Sequence, residues 1–166
     1  MNAYDIIEAN GAMISEIIAL GMERFVLNPF GIHGISHWHR VLSNSIEICL
    51  QDKVEIDRRI IHALTLFAML HDCERDDDDA DPEHGHKAAE VFESLHYRYA
   101  DIMGDELIDT VTYAIRWHSS GRISDNYLTQ VMWASDRLDL VRVGVTPSHR
   151  LLALPGAIAI AQRRCL

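Results

Sequence analysis

At 166 residues the chain is long enough to bury a core without disulfides, and its 48% hydrophobic and 24% charged residues argue against disorder. The formal net charge of −10 makes nucleic acid an unexpected partner, because phosphate contacts require a basic face. Four prolines and nine glycines are few for this length, which favours long helices over a strand-rich sandwich.

Cysteine usage and the two ends of the chain predict a cytoplasmic protein. The three cysteines are an odd number without CxxC spacing, which suits a reducing compartment. The N-terminal stretch MNAYDIIEANGAM lacks a basic region before an apolar run, so it does not resemble a signal peptide. The apolar tail LLALPGAIAIA is too short to span a bilayer, and no membrane partner is expected.

Helical spacing begins at the N-terminus. Apolar residues recur mostly three, four or seven positions apart through the first 25 residues, which predicts an amphipathic helix ending near Phe25. Asn28, Pro29 and Gly31 then mark a loop. A second helix is predicted from Ser36 into the low fifties.

Four further helices follow along the chain. The third carries the apolar run ALTLFAMLHD, and the acidic residues 76–79 after it predict an exposed loop. Pro82 in the sequence DPE indicates a new helix start, because proline is tolerated in the first turn. These helices are predicted over residues 54–72, 81–99, 106–118 and 127–143. The expected fold is therefore a single all-α domain of about six helices.

Ten histidines is a high count for this length, and several stand near carboxylates at predicted helix ends. A histidine at a helix end is commonly a cap or a surface group, and an HD dipeptide arises often by chance. Here His71 and Asp72 end a strongly apolar run, where a buried carboxylate needs a cation partner. Imidazole and carboxylate donors together suit a divalent ion such as manganese, iron, nickel, zinc or magnesium.

Three segments in order, HGISHWHRV, LFAMLHD and ASDRLD, resemble the H…HD…D pattern of the HD-domain metal-dependent phosphohydrolases. The resemblance covers about residues 33–145 and extends to DPEHGHKAA and DRLDLVRVGVTP, which are similar to an uncharacterised bacterial subgroup. It implies an HD-domain fold over residues 1–166, with residues 146–166 as a C-terminal packing segment. Ala134 replaces the first acid of the D-x-D spacing that many such proteins carry.

The resemblance also implies the ligands of one or two divalent ions per chain. One ion would be held by His37, His71, Asp72 and Asp136. The segments EHGHKAAE and AIRWHSSG are similar to those that supply a second ion, which points to His84 and His118 with Asp72 bridging. His86 competes with His84 for that role, and a one-metal centre remains an alternative.

Cationic and acidic residues near these positions are candidates for the chemistry. The predicted catalytic residues are Asp72, Arg40, Lys87 and Asp139. Asp139 follows Asp136 by three residues on the same helical face, where it would either orient a ligand histidine or pair with a surface arginine. Arg75, Arg116 and Arg122 are further cationic candidates, and His33 and His39 are candidate proton donors.

The implied activity is hydrolysis of a small phosphorylated molecule by metal-activated water, with a nucleotide among the candidates. Two other classes stay open: a di-iron HD-type oxygenase and a non-catalytic module that senses a nucleotide. Iron content with oxygen consumption would identify the oxygenase, and absence of metal even after soaking with manganese, nickel or iron would favour the sensing module. The apolar tail around residues 151–161 offers a surface for a homodimer.

Overall fold

The chain folds into helices joined by short loops, and no strand forms within residues 2–164, which the computed structural model describes. The described residues form ten α-helices: α1 (Ala3–Ala9), α2 (Gly11–Met22), α3 (Ile35–Gln51), α4 (Arg58–Leu70), α5 (His84–Leu95), α6 (Ala100–Met103), α7 (Asp105–Trp117), α8 (Tyr127–Leu138), α9 (His149–Leu152) and α10 (Pro155–Arg164). The prediction of an all-α fold is confirmed.

The described residues form ten helices instead of the predicted six or so. The first predicted helix is two helices, since the Asn10 side chain donates to the Ile6 carbonyl at 2.8 Å and competes with the helical pattern. The predicted helices to residues 99 and 143 end earlier, and single 3₁₀ segments at His96–Arg98 and Asp139–Val143 follow. The four-residue helices α6 and α9, which are too short to predict from spacing, and α10 in the predicted C-terminal packing segment make up the rest.

The start of α4 is fixed by its N-cap rather than by the apolar pattern. The Asp57 carboxylate accepts from the backbone N–H groups of Arg59 and Ile60, each at 2.8 Å. The helix therefore begins at Arg58, four residues after the predicted start near Val54. Its other end agrees with the prediction, because α4 ends at Leu70, directly before the HD dipeptide.

Helix α4 is the centre of the core. Every residue from Ile61 to Leu70 is buried, as expected for a helix that other helices surround. Helices α2, α3, α7 and α8 pack around it, and the largest fully buried side chains include Trp38, Trp133 and Phe67. The end of α4 consequently delivers two polar residues, at positions 71 and 72, to the rim of an apolar core.

The C-terminal segment packs on the same core. Helix α10 contacts α3 and α8, and Leu152 and Ile160 are buried. The N–H of Gly156 donates to Asp52 at 2.8 Å, which ties the start of α10 to the end of α3. Residues 165 and 166 of the predicted packing segment lie outside the described residues. In the described part of the chain, no helix is both long and apolar enough to cross a bilayer.

Candidate metal centre

Six side chains from five parts of the fold converge at the end of α4. Helix α3 packs against α8, and α5 packs against α7, so donor groups on these four helices face the same space. The residues brought together are the six predicted ligands, His37, His71, Asp72, His84, His118 and Asp136. All are buried except Asp136, whose side chain is 17% exposed.

The first donor cluster comprises His37, His71, Asp72 and Asp136. The Nε2 atoms of the two histidines are 3.1 Å apart. His37 Nε2 lies 3.5 Å from Asp72 Oδ2 and 3.4 Å from Asp136 Oδ1. His71 Nε2 lies 3.6 Å and 3.8 Å from the same two oxygens. Two imidazoles and two carboxylates thus direct one donor atom each at a common point.

The second donor cluster comprises Asp72, His84 and His118. The Nε2 atoms of the two histidines are 2.8 Å apart. Asp72 Oδ1 lies 3.2 Å from His84 Nε2 and 3.6 Å from His118 Nε2. Since Oδ2 of the same carboxylate faces the first cluster, Asp72 lies between the two clusters.

Each of the four histidines has its Nδ1 nitrogen engaged, which orients Nε2 toward the clusters. His37 Nδ1 donates to the Asp139 carboxylate at 2.7 Å. The other three Nδ1 nitrogens donate to backbone carbonyls, which can only accept, so these rings carry their proton on Nδ1 when neutral. The acceptors are the carbonyls of Ala68, Asp81 and Ile115. The neutral rings therefore present unprotonated Nε2 lone pairs to one another.

This donor set fits divalent ions. Atoms about 2.1 Å from a shared ion lie roughly 3.0–3.5 Å from one another. The separations within both clusters, from 2.8 to 3.8 Å, are close to this range. Lone pairs facing each other, with the buried carboxylates of Asp72 and Asp139 and the partly buried one of Asp136 nearby, require positive charge in the space between them. Imidazole with carboxylate oxygen is a donor combination that manganese, iron, nickel and zinc accept.

The pKa values of these residues also indicate that positive charge stabilises the clusters. Although burial opposes ionisation, the surrounding histidines hold the pKa values of Asp72 and Asp136 below their usual range. Burial lowers the pKa of His71 to about 3, so this ring is neutral. Burial also disfavours charge on His37, but its hydrogen bonds to three carboxylates outweigh this and raise its pKa to about 10. Without an ion, His37 therefore supplies one proton to the cluster.

Asp139 connects the first cluster to Arg40. Arg40 donates to the Asp139 carboxylate from Nε at 2.7 Å and from Nη2 at 3.0 Å, while the same carboxylate accepts from His37. Asp139 is 3% exposed, so it is a buried support for His37 and not a surface partner of an arginine alone. Arg40 is half-exposed and lies behind this support, away from the donor atoms.

A cleft of about 310 Å³ opens over the two clusters. Asp72, Asp136, His84 and His118 form its floor, and three arginines stand in its wall. These arginines are Arg75, Arg137 and Arg142. His33 also lines the cleft, with its Nδ1 hydrogen-bonded to Asp78 at 2.9 Å. The acidic loop predicted to be solvated is exposed and lies beside this opening.

Several candidates lie elsewhere. Lys87 pairs with Asp76 and faces a different surface depression, so the structure does not bring this predicted catalytic residue to the clusters. Although Lys87 follows His84 by three residues, its ammonium group extends to the Asp76 carboxylate and not to the clusters. His86 packs edge-on against Trp117, which leaves His84 as the histidine of α5 in the second cluster. His39 is exposed.

The remaining cationic candidates are also engaged outside the clusters. Arg116 donates to Glu93 at 2.5 Å, and the guanidinium of Arg122 lies over the Trp117 ring, 4.6 Å from its centroid. Sequence reasoning missed Arg137 and Arg142 as wall residues. Their proximity to Asp136 and Asp139 in sequence was the available signal, but the 3₁₀ turn after Leu138 decides where Arg142 points.

Phe67 is a further residue that the sequence did not single out. Its ring stacks on His71, with centroids 5.2 Å apart and planes inclined by 19°. It lies four residues before His71 on a continuous helical path, a spacing that places both side chains on one face. Phe67 therefore fixes the plane of the His71 imidazole from the apolar side.

No protein-family model matches the chain, and no curated protein matches it. Among solved structures, the chain is similar to a predicted HD superfamily hydrolase from an uncultured Thermotogales bacterium. The two share 24% sequence identity with a TM-score of 0.68, over 99% of this chain and 91% of that one. The likeness thus extends over the whole helical arrangement that carries the donor clusters. The chain has the HD-domain fold, as the sequence resemblance implies.

Proposed function

We propose that the chain is a metal-dependent phosphohydrolase that acts on a small phosphorylated molecule, with a nucleotide among the candidates. The observation that carries the proposal is the pair of buried donor clusters that share Asp72. Such a set is costly to bury unless an ion compensates it. Its position at the floor of an open cleft gives a substrate access to it.

When bound, divalent ions supply a water of lowered pKa and polarise phosphoryl oxygens. The side chains of this chain provide the rest of the machinery. The two carboxylates Asp72 and Asp136 would hold the ions, and Asp139 keeps His37 in the orientation that directs Nε2 into the cluster. Each imidazole is already deprotonated at Nε2 or loses its proton there on binding.

The cleft wall suits a phosphorylated ligand. Arg75, Arg137 and Arg142 surround the opening, and guanidinium groups stabilise the charge that develops on phosphoryl oxygens. A volume of about 310 Å³ lies at the lower end of ligand pockets, which favours a small substrate over a polymer. His33 at the mouth donates from Nδ1 to Asp78, and burial lowers the pKa of its ring, so the neutral imidazole offers Nε2 as a hydrogen-bond or proton acceptor.

The test is turnover by protein whose metal content is known. Metal-free protein would be reloaded with manganese, iron, nickel, zinc or magnesium and assayed on nucleoside monophosphates, sugar phosphates and a chromogenic phosphodiester. Hydrolysis of at least one compound is expected, with a loss of at least about a hundredfold in Asp72→Asn. His86→Ala is the matched control, because it removes a histidine two residues from His84 without touching either cluster.

Three results would contradict the proposal. Loaded protein that binds nucleotides but hydrolyses nothing in the panel would favour the sensing module. Protein purified with iron that consumes oxygen together with an organic substrate would favour the di-iron oxygenase. Full hydrolysis by Asp72→Asn would show that the metal centre takes no part in the reaction.

A further inference from the structure

Arg75 lies against the second donor cluster. It follows Asp72 by three residues in the loop between α4 and α5, and it is only 8% exposed. Its Nη1 atom lies 3.4 Å from His84 Nε2 and 3.8 Å from Asp72 Oδ1. A fixed positive charge therefore stands beside two of the three donor atoms of this cluster.

The guanidinium is held in this position by the backbone of its own loop. Nη2 donates to the Asp79 carbonyl at 2.7 Å, and Nε donates to the Asp77 carbonyl at 3.2 Å. Because Nε and Nη2 are tied to carbonyls and the group is planar, the direction of Nη1 is set. Nη1 is thereby turned toward His84.

Neutral His84 has one nitrogen that can accept a hydrogen bond, and Arg75 donates to it. The Nδ1 nitrogen of His84 donates to the Asp81 carbonyl, which leaves Nε2 as the acceptor. The hydrogen bond from Arg75 Nη1 uses the same lone pair that a metal ion would require. A divalent ion at this cluster would also be repelled by the guanidinium at short range.

The first cluster lacks this competitor. In the described part of the chain, Asp136 forms ion pairs only with His37 and His71, and no arginine or lysine nitrogen lies within 4 Å of its carboxylate. Arg40 is separated from the donor atoms of this cluster by Asp139, which neutralises it. The two clusters thus differ in their cationic neighbours although both contain histidines and Asp72.

We propose that Arg75 competes with the second ion for His84, so that the chain binds one ion tightly at the first cluster and a second ion at least about tenfold more weakly. The inference rests on the metal centre of the proposed function. It makes Arg75 the residue that determines how many ions the chain holds at a given metal concentration.

The experiment is equilibrium dialysis of metal-free protein against manganese, with metal per chain measured by mass spectrometry and no substrate present. Wild-type protein is expected to show one tight and one weak site. Arg75→Met keeps the length of the side chain and removes its charge, so the second site should tighten at least about tenfold while the first changes little. His84→Ala should abolish the second site, and Arg122→Met is the control for loss of an arginine outside the clusters.

Two sites of equal affinity in wild-type protein would overturn the inference, and so would a second site that is unchanged or weaker in Arg75→Met. If Arg75→Met does not fold, Arg75→Lys replaces it. Lysine cannot hold both loop carbonyls and reach His84, so a tighter second site is again expected, and no change contradicts the competition. Absence of any bound metal in wild-type protein would instead contradict the proposed function, which separates the two failures.

Discussion

Asp139→Asn tests how strongly a buried carboxylate supports the first donor cluster. The carboxylate accepts from His37 Nδ1 at 2.7 Å and from two nitrogens of Arg40, and it is 3% exposed. Asparagine has nearly the same shape, so the substitution removes the charge and one acceptor without leaving a cavity. His37 then has only a neutral partner, and Arg40 loses its counter-ion.

The expected effect follows from these contacts. A charge-assisted hydrogen bond is about twice as strong as a neutral one, and loss of such a support costs roughly 10–100-fold in metal affinity. That range corresponds to about 1.4–2.7 kcal/mol of binding free energy. Arg40 adds little to this figure, because its side chain is 46% exposed and regains water.

The pH dependence of metal binding and of folding stability gives a second measurement. In metal-free protein the pKa of His37 is raised to about 10, so ion binding at neutral pH must displace its proton. Because this pKa is raised on folding, the stability that the proton contributes is complete below about pH 6.5 and is lost as the pH rises toward 10. Asp139→Asn lowers this pKa, so both the proton release on binding and the alkaline loss of stability should shrink.

The assay is metal titration by calorimetry in buffers of different ionisation enthalpy, which gives affinity and proton release together. Asp139→Asn is expected to bind the first ion at least about tenfold more weakly than wild-type protein. Arg40→Met is the matched control, since it removes the outer partner and leaves the His37 hydrogen bond. An affinity within twofold of wild type in Asp139→Asn, alongside loss of binding in His37→Ala, would refute the support role.

Three further predictions concern other parts of the chain. In Gly85→Ala the new Cβ would meet two backbone carbonyl oxygens of α7 at 3.0 Å, so thermal unfolding should show that the free energy of unfolding falls by about 1 kcal/mol. Gly11→Ala is the control, because its new Cβ meets no atom within 4 Å and the substitution should be neutral or stabilising. Burial raises the pKa values of Cys49 and Cys73 to about 12, so peptide mass spectrometry after alkylation of native protein at pH 8 should find both thiols unmodified until the protein unfolds. Lys87→Met should leave turnover within about twofold of wild type, because this side chain pairs with Asp76 outside the cleft. A larger loss of turnover would indicate that Lys87 takes part in the reaction.

The sequence predicted most of the fold because its signals are local. Helical spacing gave the positions of α3, α7 and α8 within a few residues. It failed where a side chain competes with the helix, as at Asn10, and where a cap fixes the start, as at Asp57. Short helices such as α6 were missed because four residues carry too little periodicity to be recognised.

The candidate site, like the fold, could be predicted from the sequence only in part. The resemblance gave the six candidate ligands, because the HD dipeptide after an apolar run and the D-R-L-D sequence are both readable along the chain. It did not decide between His84 and His86, which lie two residues apart on one helix. Only the packing of α5 on α7 turns His84 toward His118 and His86 toward Trp117.

By itself the sequence determined an all-helical chain that carries histidines and carboxylates at helix ends, since periodicity and apolar runs are properties of neighbouring residues. Only the tertiary structure decided that Asp72 presents one oxygen to each cluster and that Arg75 stands beside the second. The reason is physical: the direction of a side chain at a helix end or in a loop is set by the elements that pack around it, and those elements are distant in the sequence.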